Sequence, residues 1–330
     1  MCTAITYKTK NHYFGRNLDL EYSYNETIVI TPRKFPFSFR KVENIRTHYA
    51  MIGMGIVVKN YPLYFDATNE KGLSMAGLNF PGNAVYQEMS EGKENVSPFE
   101  LIPWILGQCS SVLEAREKLS KINLVNINFS NELPLTPLHW MISDAKESIT
   151  VEPFKDGLKV YENSVGVLTN SPSFDLHMFY LNNYMQLSAK PPCNHFSDKI
   201  QLESYSRGMG ALGMPGDLSS MSRFVRAAFT KMNSISGDGE EESISQFFHI
   251  LASVWQQRGC IRIVEDKKKQ KEVYEITIYS SCCNTDRGIY YYTTYENSQI
   301  TAVDMHKEEL EGDKVIVYPL VKKQQIKMQN

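Results

Sequence analysis

The sequence predicts an α+β fold with antiparallel sheets. Strand-like segments joined by short polar turns occupy both ends of the chain, and helical segments are grouped between them. Strands and helices do not alternate one by one, as they would around a parallel sheet. With 330 residues, 42% of them hydrophobic, the chain is long enough to bury a large core.

The N-terminal part of the chain predicts a series of short strands. These are expected at 2–7, 11–16, 26–32, 48–58, 64–69 and 73–80. The first two flank a run of polar residues and the last two flank a glycine-containing turn, so each pair predicts a hairpin. Pro32 ends the third strand because proline lacks the N–H that a continuing ladder requires.

Helices and further strands follow. Helices are predicted at 99–109, 111–122, 174–187, 222–232 and 243–256. The second begins with Ser111 and Glu114, the spacing of a capping box in which both side chains satisfy free amide donors. Strands are predicted at 138–144, 148–153, 157–162, 165–170, 273–281, 288–296, 300–305 and 315–320.

Residues 188–221 form a long excursion rich in glycine, proline and serine, and such segments in compact chains are usually functional or interfacial. Gly208, Gly210 and Gly213 within it have dinucleotide-loop spacing, but no apolar strand precedes them. The lysine run at 267–269 predicts a solvated turn.

Composition excludes several classes of function. Lys plus Arg is 35 and Asp plus Glu is 37, a balance that argues against a nucleic-acid binder. No apolar run approaches the ~20 residues of a membrane span. The N-terminus lacks the features of a secretion signal and the six cysteines are scattered, so a cytoplasmic location is expected. Histidine and cysteine spacings predict no metal site.

Cys2 is the most informative residue. Methionine aminopeptidases remove Met1 when the second residue is small, which would leave Cys2 with a free α-amine. An α-amine in general has a pKa of ~7.7–8.0 and can act as a base near neutral pH. A thiol paired with its own α-amine therefore needs no histidine to become a nucleophile. From its position alone, Cys2 is most simply a small hydrophobic residue at the start of a strand.

Polar residues at the ends of predicted strands and helices strengthen the catalytic interpretation. Arg16 lies at the end of the second predicted strand and favours a thiolate by its charge, while Asp19 can accept from an α-ammonium. Asn79, Asn170 and Arg223 also stand in apolar surroundings near strand ends or helix starts. Each of the five, taken alone, could be a turn, capping or surface residue.

Taken together, these segments resemble the choloylglycine hydrolase family of N-terminal nucleophile hydrolases, and specifically its bacterial bile salt hydrolases. The resemblance extends over essentially the whole chain. It rests on the strings MCTAI, FGRNLDLEYSY, DATNEKGLSMAGLNFPG, LHWMISD, GVLTNSPSFD, GMPGD, SRFVRAAF and GIYYYTTYENSQI. The catalytic set that it implies is Cys2 as nucleophile with Arg16, Asp19, Asn79, Asn170 and Arg223.

The resemblance also implies an architecture. It implies a single domain over 1–330 with an αββα four-layer sandwich, in which two antiparallel sheets lie between helical layers. It further implies that Met1 is removed in the active form, that no metal or organic cofactor is needed, and that the chain assembles as a homotetramer. Because related hydrolases use a segment in this region for assembly, 188–221 is the expected assembly loop.

The implied activity is cleavage of the amide bond in glycine- and taurine-conjugated bile acids, of the glycocholate and taurocholate type. Penicillin V acylase is the alternative, because it shares the fold and nucleophile. Asn79 favours bile salts, since several penicillin V acylases carry tyrosine there. A non-catalytic binding protein is a remote alternative, against which the complete catalytic set speaks.

The expected chemistry assigns further roles. Asn170 and groups near Asn79 are candidate oxyanion donors. Arg16 and Arg223 would order the thiolate site, and one of them could meet the glycine carboxylate or taurine sulfonate. An apolar groove for the steroid is expected to include Leu20, Tyr24, Phe65, Leu135 and Leu138.

Overall fold

The computed structural model describes residues 1–264 and 272–330, so the predicted turn at 267–269 lies outside it. The strands, numbered along the chain, are β1 Cys2–Lys8, β2 His12–Leu20, β3 Thr27–Thr31, β4 Met51–Val58, β5 Tyr61–Asn69, β6 Ser74–Asn79, β7 Glu94–Val96, β8 Ile122–Leu124, β9 Leu138–Ser143, β10 Ser148–Phe154, β11 Gly157–Glu162, β12 Val167–Leu168, β13 Arg262–Val264, β14 Glu272–Tyr274, β15 Ile276–Asn284, β16 Ile289–Thr294, β17 Asn297–Asp304 and β18 Ile316–Pro319. The α-helices are α1 Leu101–Leu106, α2 Val112–Leu119, α3 Phe174–Leu181, α4 Ser220–Asn233 and α5 Glu240–Ala252.

Two large antiparallel sheets form the centre of the molecule. The six-stranded sheet has the order β12-β1-β2-β15-β16-β17, and the eight-stranded sheet has the order β11-β10-β9-β6-β5-β4-β3-β18. Both predicted hairpins are present, since β1 pairs with β2 and β5 pairs with β6. In the six-stranded sheet, β15 from the C-terminal part of the chain lies beside β2 from the N-terminal part.

Alternation along the strands of the eight-stranded sheet supplies apolar side chains to both of its faces. In β3, Ile28 and Ile30 belong to one core while Val29 belongs to another, as the two-residue period of a strand requires. The Val29 core includes Leu101 and Trp104 of α1 and is completed by α2. These two helices therefore cover the outer face of the eight-stranded sheet.

The second helical layer covers the six-stranded sheet. The core that contains Ile28 and Ile30 extends to Phe224 of α4 and to Phe247 and Ile250 of α5. Residues of α4 lie against β1 and β12, and those of α5 lie against β15. The order of layers is helices, sheet, sheet, helices, which confirms the predicted α+β class and the αββα sandwich.

Most predicted elements are present with shifted ends. The second helix stops at Leu119 rather than continuing to 122, because Ile122 begins β8, which pairs in parallel with β7. Both β7 and β8 contain only three residues and were not predicted. The third helix ends at Leu181 and continues only as the 3₁₀ turn Asn182–Tyr184. The strand predicted over 165–170 is reduced to Val167–Leu168.

The predicted capping box is half formed. Ser111 Oγ accepts a hydrogen bond from the Glu114 amide at 3.3 Å. The carboxylate of Glu114 accepts from the amide of Ser110, at 2.6 Å, rather than from that of Ser111. The helix start is therefore capped at the predicted residue, but the reciprocal bond is made one residue earlier.

Residues 188–219 contain only the short 3₁₀ turn Met209–Ala211 before α4 begins at Ser220. Large apolar side chains in this stretch are exposed, among them Phe196 at 82% and Tyr205 at 85%. The segment therefore places large apolar side chains on the surface of the chain.

Over the described part of the chain, the helices are all too short or too polar to cross a lipid bilayer.

Candidate active site

Cys2 begins β1 and is 2% exposed. Its register partner on β2 is Leu18, and side chains directly opposite each other in an antiparallel pair lie on the same face. Because side chains alternate along a strand, Arg16 and Leu20 share this face while Asp19 lies on the opposite one. The two charged residues predicted near the thiol therefore approach Cys2 from different sides of the sheet.

The backbone of Cys2 is held by two of the predicted residues. Its N–H donates to Asn170 Oδ1 at 2.8 Å, and its carbonyl accepts from Arg223 Nη1 at 2.5 Å. Arg223 Nη2 donates to the same Asn170 oxygen at 2.7 Å. These three bonds form a closed ring that fixes the first residue of β1 against the start of α4.

Arg223 is fully buried behind Cys2. It also donates to Thr3 Oγ1 at 2.7 Å and to the carbonyl of Leu218 at 3.1 Å. Burial lowers the pKa of Arg223, although the acidic groups of Asp19 and Cys2 act in the opposite direction. Arg223 does not line the cavity beside Cys2, so of the two predicted arginines only Arg16 is placed to meet a ligand.

Arg16 lies on the cavity wall with Cys2 and is 1% exposed. Its Nη1 donates to the carbonyl oxygens of Phe65, at 3.1 Å, and Gly77. Its Nη2 is buried and has no hydrogen-bond partner among residues 1–264 and 272–330. Burial by itself lowers the pKa of Arg16, but neighbouring acidic groups, Cys2 first among them, raise it above its ordinary value. A charged donor is therefore kept beside the thiol.

Asp19 is buried on the other face of the sheet. Its Oδ1 accepts from the hydroxyl of Thr277 at 2.6 Å, while its Oδ2 is buried without a partner in the described residues. Burial raises the pKa of Asp19, and Arg223 is the strongest of the groups that lower it. The carboxylate thus has one free oxygen close to the N-terminal strand.

With Met1 attached, the N-terminal ammonium is bound away from the Asp19 carboxylate. It donates to the backbone carbonyl of Asp19 at 2.5 Å and forms a salt bridge with Glu275. The amide of Asp19 donates to the carbonyl of Met1 at 2.9 Å, which extends the β1–β2 ladder by one residue. Burial raises the pKa of Glu275, and the ammonium lowers it.

Asn79 ends β6 and is half-buried on the cavity wall. Its backbone carbonyl accepts from Asn170 Nδ2 at 2.7 Å. An amide nitrogen carries two N–H groups, so Asn170 keeps one further donor after this bond. The two predicted asparagines therefore contact each other next to Cys2.

The cavity beside Cys2 has a volume of about 620 Å³, within the range of small-molecule sites. It is lined by both sheets, by α1 and by the loop at 129–137. All five predicted groove residues contribute to its wall, namely Leu20, Tyr24, Phe65, Leu135 and Leu138. Tyr24 also packs on Phe65 with ring centroids 5.8 Å apart.

Several wall residues were not predicted. Among them are Leu18, Ile56, Leu63, Ile102, Phe129, Leu133, Pro134, Trp140 and Glu275. A proline-rich segment without strand alternation, such as 129–137, is a usable sign of a binding loop. Nothing in the local sequence distinguishes Glu275, which reaches the site only because β15 pairs with β2.

The chain is similar to known proteins over almost its whole length. Residues 2–318 match the family model for linear amide C–N hydrolases, choloylglycine hydrolase family. The chain is 60% identical to a bile salt hydrolase/transferase of Lactiplantibacillus plantarum, with 97% of each chain covered. It is 43% identical to a bile salt hydrolase/transferase of Clostridium perfringens, with 96% of each covered.

Solved structures show the same fold. A mutant conjugated bile acid hydrolase from Clostridium perfringens superposes with a TM-score of 0.91, at 42% identity and with 100% of each chain covered. A penicillin V acylase from Agrobacterium tumefaciens shares the fold with a TM-score of 0.72, at 19% identity, over 96% of this chain and 90% of its own. The sandwich fold and the cysteine on the wall of an apolar cavity are consistent with these matches. The chain therefore belongs to the choloylglycine hydrolase family of linear amide C–N hydrolases.

Proposed function

We propose that this protein hydrolyses the amide bond of glycine- and taurine-conjugated bile acids, with Cys2 as the nucleophile once Met1 has been removed. One observation carries the proposal: Cys2 and Arg16 lie on the wall of a cavity of about 620 Å³ whose other walls are mostly apolar. A steroid needs such a surface, with few polar contacts to orient it. The names of the relatives point to the same substrate class.

The first step is activation of the thiol. The free α-amine of Cys2 takes the proton from the thiol, and the thiolate attacks the carbonyl carbon of the amide. Arg16 favours the thiolate because its charged guanidinium has a buried, unpartnered Nη2 on the same face of the sheet. Asp19 accepts from the α-ammonium that this transfer creates.

The tetrahedral intermediate carries a negative oxygen that needs fixed donors. The second N–H of Asn170 and the amide groups of Asn79 are next to Cys2 and are the proposed donors. Arg223 contributes by fixing the backbone of Cys2 and the side chain of Asn170. It thereby orients both the nucleophile and an oxyanion donor.

Collapse of the intermediate breaks the C–N bond. The α-ammonium gives its proton to the departing nitrogen, so glycine or taurine leaves and a thioester on Cys2 remains. The α-amine then takes a proton from water as the water attacks the thioester. The bile acid leaves, and the proton returns to the sulfur.

Penicillin V remains the alternative substrate, because the chemistry at Cys2 would be identical. Asn79 lies on the cavity wall, at the position where several penicillin V acylases carry tyrosine. An asparagine leaves more room there and adds an amide donor. This difference favours a bile salt.

The test measures the release of free amine with ninhydrin. Glycocholate, taurocholate and penicillin V are assayed side by side. We expect turnover of both bile salts to exceed that of penicillin V by at least about tenfold in kcat/KM, the equivalent of about 1.4 kcal/mol. Faster hydrolysis of penicillin V would reassign the substrate class. No turnover of any of the three by chains that begin at Cys2 would favour a non-catalytic role.

We also propose that the chain acts as one domain over residues 1–330, in the cytoplasm, as a homotetramer. All six cysteines are free in the structure, which suits a reducing compartment. The apolar side chains exposed within 188–221 support an assembly role for that segment.

Deleting most of 188–221 is expected to yield species smaller than the tetramer, because a large exposed apolar surface would be lost. Light scattering coupled to size exclusion measures the mass. The matched control is Ile235→Ser, which removes an apolar side chain that is 89% exposed but lies outside the segment. A deleted protein that stays tetrameric would contradict the proposal.

A further inference from the structure

Asp19 is held by a residue that lies 258 positions away in the sequence. Thr277 of β15 is its register partner, and the two side chains form the 2.6 Å hydrogen bond described above. The pairing of β15 with β2 is irregular between Thr277 and Tyr279, where a bulge interrupts the register. Bulges of this kind re-aim individual side chains next to functional sites.

The direction of this hydrogen bond follows from a second contact. The backbone N–H of Gln256 donates to Thr277 Oγ1 at 2.8 Å, and the N–H of Thr277 donates to the carbonyl of Gln256 at 3.1 Å. Because a backbone amide can only donate, the hydroxyl of Thr277 is the acceptor in the first of these bonds. Its single proton is therefore available for Asp19 Oδ1.

This arrangement leaves one defined oxygen of the carboxylate free. Oδ1 is bound by Thr277, and Oδ2 is buried without a partner in the part of the chain that the structure describes. The neighbouring segment is the N-terminus just before β1, where the carbonyl of Met1 accepts from the amide of Asp19 at 2.9 Å. A buried carboxylate oxygen without a partner is costly unless a donor arrives there.

We propose that Thr277 is a positioning residue that holds Asp19 so that Oδ2 receives the α-ammonium of Cys2 formed during turnover. The inference rests on the proposed function, because it assigns a role within that mechanism. Thr277 acts only through Asp19 and does not line the cavity beside Cys2. It lines a separate cavity of about 90 Å³, with Gln256 and Thr293. The role therefore concerns the chemical step rather than substrate binding.

The experiment compares Thr277→Val, Thr277→Ala and Thr277→Ser with the wild type, using glycocholate and chains confirmed by mass to begin at Cys2. Valine keeps the shape of threonine but removes the hydroxyl, alanine removes it without adding bulk, and serine restores it. Thr293→Val is the matched control, because Thr293 is a buried threonine of the same small cavity. Thermal melting checks that each variant is folded.

We expect valine and alanine to lower kcat by about 10- to 100-fold with KM within twofold, as for a misplaced catalytic group. Serine is expected to recover most of kcat, and Thr293→Val to behave as the wild type. Unchanged kcat in the valine and alanine variants, a change confined to KM, failure of serine to rescue, or unfolding of both variants would overturn the proposal. A wild type that releases no amine would instead refute the proposed function.

Discussion

Cys2→Ala is expected to abolish amine release from glycocholate, by at least about 10⁴-fold, while the protein stays folded. Without the sulfur there is no nucleophile, and no other cysteine, serine or threonine is predicted to replace it. Alanine is as small as cysteine, so removal of Met1 and the free α-amine are both retained. The side chain lies at the first position of β1, where loss of one sulfur atom leaves the backbone ring with Asn170 and Arg223 unchanged.

The ninhydrin assay measures turnover and thermal melting measures folding. Cys109→Ala is the matched control, because Cys109 is also a free, buried cysteine but belongs to the core under α1 and α2. We expect that control to keep full activity. Turnover close to the wild type in the Cys2 variant would show that another group performs the attack.

Chains that keep a residue in front of Cys2 are expected to be folded and inactive, with turnover reduced by about 10²- to 10⁴-fold or more. The nitrogen of Cys2 is then a planar peptide amide without a basic lone pair. Its N–H already donates to Asn170, and the added residue lies on the cavity wall with its ammonium on Glu275. Neither the base nor the free space beside the thiol is available.

Two insertions after Met1 distinguish inhibition by Met1 itself from inhibition by loss of the free α-amine of Cys2. A leucine blocks removal of Met1, whereas an alanine permits it but still acylates the nitrogen of Cys2. Both variants are expected to be inactive, and intact mass reports which N-terminus each carries. An active alanine variant would mean that Met1 itself, and not the lost α-amine, causes the inhibition.

The fold could be predicted from sequence where local pattern and tertiary structure agree. Strand-like segments bounded by turns predicted β1 to β6, and these strands are largely buried in the structure. The three-residue strands β7 and β8 were missed, since a strand that short shows no periodicity. The end of α2 was misplaced because Ile122, its last predicted residue, belongs to β8.

The residues of the candidate site also divide into those that local sequence predicts and those that it does not. Cys2, Arg16 and Asp19 are close in sequence, and the chemistry of a thiol beside an α-amine suggested them directly. Alternation along a strand also predicts that Arg16 and Asp19 lie on opposite faces of the sheet. It does not predict which residues form hydrogen bonds with them. Thr277 and Glu275 reach the site through the pairing of β15 with β2, a contact between distant parts of the chain that no local pattern reveals.

The most direct test of the account is a plot of glycine release per chain against the fraction of chains that begin at Cys2. Preparations with different extents of Met1 removal supply the points, with intact mass giving the fraction and ninhydrin giving the rate on the same sample. The account predicts a straight line through the origin, because only a chain with a free α-amine on Cys2 contributes turnover. A rate independent of that fraction, with full activity in chains that all retain Met1, would contradict it.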